Sequence, residues 1–147
     1  MLKFLKQNSP TSLEVITEFE EINQIILPND YKEFLLRING GEVKYGVVEY
    51  LHVNGKHEKA TITDIYGLPT TKAELEPDSI EVLHVNEKYD PLLVIANEIG
   101  GHLNIVISLA AQHFGNVYIW LYSNSYITKI CDSFDKFVDT IQFENEV

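Results

Sequence analysis

The chain contains a single cysteine, Cys131, among its 147 residues. An internal disulfide is therefore impossible, and the fold needs no oxidising compartment. Hydrophobic runs are also short: the run from Leu92 to Ala96 is among the longest, and a membrane-spanning helix needs roughly 20 apolar residues. The first ten residues hold two lysines but too few apolar side chains for a signal peptide. We therefore expect a soluble, cytoplasmic protein.

Basic residues are scarce, since 11 Lys and Arg stand against 22 Asp and Glu and give a net charge of -11. The imbalance is uneven: residues 1–60 hold 7 basic and 9 acidic side chains, whereas residues 61–147 hold 4 and 13. This composition disfavours direct binding to nucleic acid, which depends on clustered Lys and Arg. The negative charge either keeps the surface soluble or attracts a basic protein partner. Charge alone favours the first reading.

Patterns typical of catalysis are missing. Gly-x-Ser-x-Gly is absent, and no two of the five histidines have the i, i+4 spacing of a zinc protease helix. His52 and His57 flank an Asn54-Gly55 turn, where exposed polar side chains are more common than metal ligands. Cys131 precedes a predicted helix, whose dipole can activate a thiol, but a small buried side chain is the favoured reading. We expect no catalytic residues, no metal and no cofactor.

The length and a hydrophobic content of 45% suit a single domain. Thr11 to Glu14 predict a capping box and a helix start, with Glu18, Glu20 and Glu21 on the solvated side. Pro28 is predicted at the first position of a second helix and Gly40 just past its end. Asp132 is predicted to cap a third helix. Apolar side chains mark the buried stripes of these helices: Val15, Ile16, Phe19 and Ile22, then Tyr31, Phe34, Leu35 and Ile38, then Phe134, Phe137, Val138 and Ile141.

Between the helices the sequence turns to short runs rich in Val, Ile and Tyr, which predict strands. Asn54-Gly55 and Gly100-Gly101 predict hairpin turns. Trp120 lies in one of these runs and is expected to pack on a sheet face. Residues 71–76 could form one helical turn. The predicted strands are 45–51, 80–85, 92–96, 103–109, 117–122 and 126–130, so we expect an α+β domain with helices packed on a largely antiparallel sheet.

The segment from Leu27 to Gly41 resembles the opening signature of the SUKH superfamily. The signature consists of Leu-Pro, an acidic-aromatic pair, an apolar pair and Asn-Gly-Gly. These elements are here Leu27-Pro28, Asp30-Tyr31, Phe34-Leu35 and Asn39-Gly40-Gly41. Further segments are similar in the same order: 91–96, 97–102, 103–108, 115–118 and 133–138. The resemblance covers about residues 11–143 and implies one SUKH-like domain over 1–147, with Leu27, Pro28, Tyr31, Phe34, Leu35, Gly40 and Gly41 as scaffold residues.

Bacterial members of this superfamily are mostly similar to immunity proteins against secreted toxins, and its best-known branch is named after a fungal cell-wall assembly regulator. The resemblance implies an antitoxin that covers the active site of a cognate toxin, often a basic nuclease. A regulatory or scaffolding module is the alternative, and a small acidic hydrolase is a third possibility. The expected contact residues lie in and near the acidic segment: Glu74, Glu76, Asp78, Glu81, Asp90 and Glu98 as charges, with Tyr45 and Tyr50 as anchors.

Overall fold

The computed structural model describes residues 3–68, 79–122 and 126–143. Within these ranges lie three α-helices, α1 (Leu13–Asn23), α2 (Asn29–Arg37) and α3 (Phe134–Thr140), and a short 3-10 helix at Ala111–His113. The same ranges hold nine strands: β1 (Phe4–Gln7), β2 (Gly41–Leu51), β3 (His57–Ile65), β4 (Glu81–Leu83), β5 (Leu92–Glu98), β6 (Leu103–Ser108), β7 (Val117–Leu121), β8 (Tyr126–Cys131) and β9 (Gln142–Phe143). The predicted α+β class is confirmed. The helical turn predicted at 71–76 lies outside the described residues.

The nine strands form one sheet whose main path runs β1-β2-β3-β5-β6-β7-β8. Neighbouring strands along this path are antiparallel, as are β4 on β5 and β9 on β2. The strands predicted from Leu92, Leu103, Val117 and Tyr126 are confirmed as β5 to β8. Neither β1 nor β9 is predicted from the sequence, because two to four residues are too few for an alternating pattern to be recognised.

Both predicted hairpin turns are present. Asn54-Gly55 joins β2 to β3, where the His52 N–H donates to the Lys56 carbonyl at 2.9 Å and Gly55 has a φ of 82°. The loop thus has three residues and ends in a left-handed glycine, which is a common hairpin geometry. Gly100-Gly101 lies between the antiparallel strands β5 and β6.

All three helices begin one residue later than predicted. The Ser12 hydroxyl, and not that of Thr11, accepts the Val15 N–H at 3.3 Å and caps α1. Pro28 occupies the capping position of α2 and not its first turn. Ser133 replaces Asp132 as the cap of α3, accepting the Lys136 N–H at 3.2 Å. At α1 and α3 an extended serine accepts a backbone N–H of the first turn, so the helix starts after it, whereas Pro28 precedes α2 without a side-chain cap hydrogen bond.

The aromatic stripe of α2 is buried, as predicted. Tyr31, Phe34 and Leu35 are each less than 5% exposed, and Ile38 is half-buried. Phe134 of α3 meets both rings edge-on, with centroids 4.9 Å from Tyr31 and 4.8 Å from Phe34. The helices α2 and α3, which are far apart in sequence, therefore share one core. On α1 the predicted stripe is partly wrong, because Ile22 is 72% exposed while Ile16 is fully buried.

The predicted role of Gly40 as the residue that ends α2 is also wrong. The helix ends at Arg37 with Ile38 as its cap, and Gly40 follows two residues later with a φ of 76°. A Cβ at this position would lie 2.3 Å from the Ile65 carbonyl oxygen. Glycine is therefore needed because two backbone segments approach each other closely there, in a conformation that other residues rarely adopt.

The two faces of the sheet carry different hydrophobic clusters, because successive side chains of a strand point to opposite faces. One face packs beneath the helices and contributes the main core, including Ile95, Ile105, Ile107 and Ile119. The opposite face carries a smaller cluster. We call it the aromatic face: its buried members are Leu92, Val94, Val106 and Tyr118, and its half-buried members are Tyr66, Leu83, Tyr89, Trp120 and Ile127.

No helix among the described residues is long and apolar enough to cross a membrane.

Candidate functional site

The contact residues expected from the sequence fall into different environments. Glu74, Glu76 and Asp78 lie outside the described residues. Tyr45 is part of β2. Glu81 is exposed on β4, and Glu98 is half-buried at the end of β5.

Two of the expected contact residues are engaged inside the protein. The Asp90 carboxylate accepts N–H groups from Val85 at 3.1 Å and from Asn86 at 2.9 Å. It therefore closes the loop between β4 and β5. The Tyr50 side chain is 9% exposed and belongs to the main core. Burial, followed by the charges of Glu58 and Glu98, raises the pKa of Tyr50.

Two accessible aromatic rings, Trp120 of the aromatic face and Tyr122 beside it, lie near two of the expected carboxylates. Trp120 packs on a sheet face as predicted, but it remains half-buried and so keeps part of its indole accessible. Tyr122, two residues further, is 42% exposed, and its ring meets the indole edge-on at 5.0 Å. This pair was not predicted as a contact site. The alternation of aromatic residues at 118, 120 and 122 was the available signal, since a period of two places them on one face.

Strand register gives Trp120 its neighbours. It lies opposite Asn104 of β6 and Ile127 of β8. Asn104 is buried and donates from its side-chain amide to the Ala96 carbonyl at 2.9 Å, so the polar group beside the indole is already satisfied. The indole thus lies on β7 between its two neighbours in the sheet, β6 and β8.

The electrostatic environment of this pair is negative. Burial, and then the negative charges of Glu81 and Glu98, raise the pKa of Tyr122. The two carboxylates come from different strands, yet both act on the same phenol. Glu98 is also held by the β5–β6 hairpin, because its carboxylate accepts the His102 N–H at 3.2 Å.

A cation already lies against an aromatic ring of this face. The Lys88 ammonium is 5.2 Å from the centroid of the Tyr89 ring. That ring in turn packs on Tyr118 at 4.6 Å and on His113 at 4.9 Å. Such ring faces attract ammonium and guanidinium groups through their quadrupoles. The Tyr89 ring is therefore already paired with a cation of the protein itself.

The groups considered for chemistry are not brought together. Within the described ranges, no three side chains of the His, Cys, Asp and Glu types cluster closely enough to hold a metal ion. His52 lies between Tyr50 and Tyr126, with ring centroids 6.3 Å from each. Cys131 is half-buried and its thiol donates to the Ser133 carbonyl at 3.4 Å. Burial raises the pKa of this thiol to about 11, which agrees with an inert side chain.

Comparison with curated proteins and with solved structures yields no match. Comparison with protein families gives one over most of the chain: the profile of the SMI1 / KNR4 family (SUKH-1) matches residues 10–140. The matched region begins just before the cap of α1 and ends with α3. It therefore includes the aromatic core that joins α2 to α3 and the whole main path of the sheet after β1. The chain belongs to the SMI1 / KNR4 family (SUKH-1).

Proposed function

We propose that this protein is a bacterial immunity protein, which binds a cognate toxin in the cytoplasm and neutralises it by covering the toxin's active site. Family membership supports a protein partner, since the SUKH domain is known in immunity proteins. The net charge of -11 supports a basic partner, and nuclease toxins fit because their substrate grooves are basic. We propose further that the partner binds the aromatic face.

The observation that carries the proposal is the pair Trp120 and Tyr122 beside Glu81 and Glu98. Tryptophan and tyrosine are enriched among the residues that dominate binding energies at interfaces. The two carboxylates attract basic side chains, and the accessible rings can stack against a guanidinium group. Glu81 and Glu98 thus keep the contact role expected from the sequence, whereas Asp90 and Tyr50 are left out because they are engaged internally.

The test is co-expression with the large toxin encoded by the neighbouring gene, followed by binding kinetics on the purified pair. Two variants compare the same change of charge at different places. The face variant, Glu81→Lys with Glu98→Lys, reverses the two charges that act on Tyr122. The helix variant, Glu33→Lys with Asp139→Lys, changes exposed positions on α2 and α3, which pack on the other side of the sheet from Trp120. Trp120→Ala with Tyr122→Ala removes the rings.

We expect the face variant to slow association by about tenfold or more and to flatten its dependence on salt. The helix variant should change the rate by less than about threefold. Loss of the rings should mainly accelerate dissociation. If neither the face variant nor the variant without the two rings changes binding, the toxin uses another surface. Failure to protect cells from the neighbouring toxin would refute the immunity function itself and favour a regulatory module.

A further inference from the structure

An open groove of about 690 Å³ lies where α1 ends, apart from the aromatic face. It is lined on one side by Ile25 and Ile26, which connect α1 to α2, and on the other by Pro91, Leu109 and Phe114. Ile26 is 68% exposed and Phe114 is 45% exposed. Two large apolar side chains therefore face solvent across one groove, a pattern typical of surfaces that bind a partner.

The charged groups of the groove favour a cation. Glu20 and Lys32 also line it, but they neutralise each other at 3.5 Å, and Glu20 accepts the Leu27 N–H at 2.7 Å as well. Glu21 is exposed and forms no ion pair with the described residues. The carbonyl end of α1 carries a partial negative charge, and no basic residue in the last turn of the helix offsets it.

We propose that this groove binds an extended segment of a protein partner in which a large apolar side chain lies next to Lys or Arg. The apolar side chain packs between Ile26 and Phe114. The cation pairs with Glu21, which has no ion pair among the described residues, and is also attracted by the partial negative charge at the carbonyl end of α1. The site is a second docking surface and does not depend on the proposed toxin contact, since α1 packs on the sheet face opposite to Trp120.

The probe is a displayed library of random peptides of about 12 residues, selected against the full chain. Enriched peptides are then synthesised with a fluorescent label, and their affinity is measured by anisotropy. Ile26→Ser and Glu21→Lys test the groove. Ile22→Ser and Glu33→Lys are the matched controls. Ile22 is 72% exposed on α1, and Glu33 is exposed on α2. Neither residue is among those that line the groove.

We expect the enriched peptides to share a large apolar residue within about two positions of Lys or Arg. Ile26→Ser and Glu21→Lys should each weaken binding by about tenfold, and the two controls by less than about twofold. A variant with Phe114→Trp in a Trp120→Phe background should change its indole emission on binding. Enrichment of peptides without a cation, equal effects of groove and control variants, or no enrichment at all would each overturn the proposal.

Discussion

The buried side chain of Asn39 joins segments of the chain that are distant in sequence. It is 2% exposed, and its side-chain amide donates to the Ser9 carbonyl at 3.1 Å and to the Leu68 carbonyl at 2.6 Å. Its side-chain oxygen accepts the Leu68 N–H at 2.8 Å. Three otherwise separate segments are thus joined by one amide, which gives a physical reason for an Asn before the two glycines of the family signature.

Replacing Asn39 by Leu should therefore destabilise the protein more than an average core substitution. The change leaves the N–H and the carbonyl of buried Leu68 without their Asn39 partner, and each such group costs about 1–3 kcal/mol. We expect the free energy of unfolding to fall by about 3 kcal/mol or more in urea titrations. Asn54→Ala is the control, because Asn54 is exposed and accepts only the Lys56 N–H in its hairpin loop. Similar losses in the two variants would contradict this role.

The Cys131 thiol should react slowly with alkylating reagents in the folded protein. Burial raises its pKa from 9.0 to about 11, so the reactive thiolate is suppressed at about pH 8 by roughly a hundredfold. The folded state holds this proton more tightly than the unfolded chain does, so the stability that the buried neutral thiol contributes is complete below about pH 9 and is lost as the pH rises towards about 11. Iodoacetamide kinetics measure the first effect, with the urea-unfolded chain as the fast reference. Equal rates in both states would show an accessible thiolate.

At the scale of elements, the sequence identified the helices and the central strands because their hydrophobic periods are local. The α2 stripe and the runs that became β5 to β8 carry their own signal. The predictions of exposure that were wrong concern residues whose surroundings depend on contacts between elements. Glu20 was expected on a solvated face, but it is partly buried because the chain returns beside α1 at Leu27 and Lys32. Ile22 is exposed because no described element packs on that side of α1.

The Glu20 carboxylate should stabilise the packing of α1 against α2. Glu20→Ala removes the acceptor of the Leu27 N–H and the partner of the half-buried Lys32 ammonium, so we expect a loss of about 2 kcal/mol. Glu20→Gln keeps an oxygen acceptor and should lose less than half as much. Thermal and urea unfolding of both variants provides the comparison. An equal loss for Ala and Gln would assign the effect to charge alone. Glu33→Ala, at an exposed position of α2, controls for helix propensity.

At the scale of the whole molecule, the candidate site arises from register and not from any motif. Glu81, Glu98 and Tyr122 are well separated in sequence, and only the pairing of β4, β5, β6 and β7 brings the two negative charges to one phenol. The acidic composition could be predicted to attract a basic partner. The sequence could not predict which carboxylates lie beside an aromatic surface, because a shift of one residue in register would turn each side chain to the other face.

The same charge imbalance should weaken the folded state as a whole. A net charge of -11 produces repulsion within the folded protein, and salt screens this repulsion. The exposed ion pairs of Asp132 with Lys129 and Lys136 contribute little to stability, so their screening by salt costs little. We expect the urea midpoint to rise as NaCl increases from about 0.02 to about 0.3 M. The variant with Glu33→Lys and Asp139→Lys, which is less negative, should begin with a higher midpoint and respond less. A midpoint that falls with salt in the unmodified chain would mean that attractive pairs outweigh the repulsion, and the charge would then serve the fold as well as the partner.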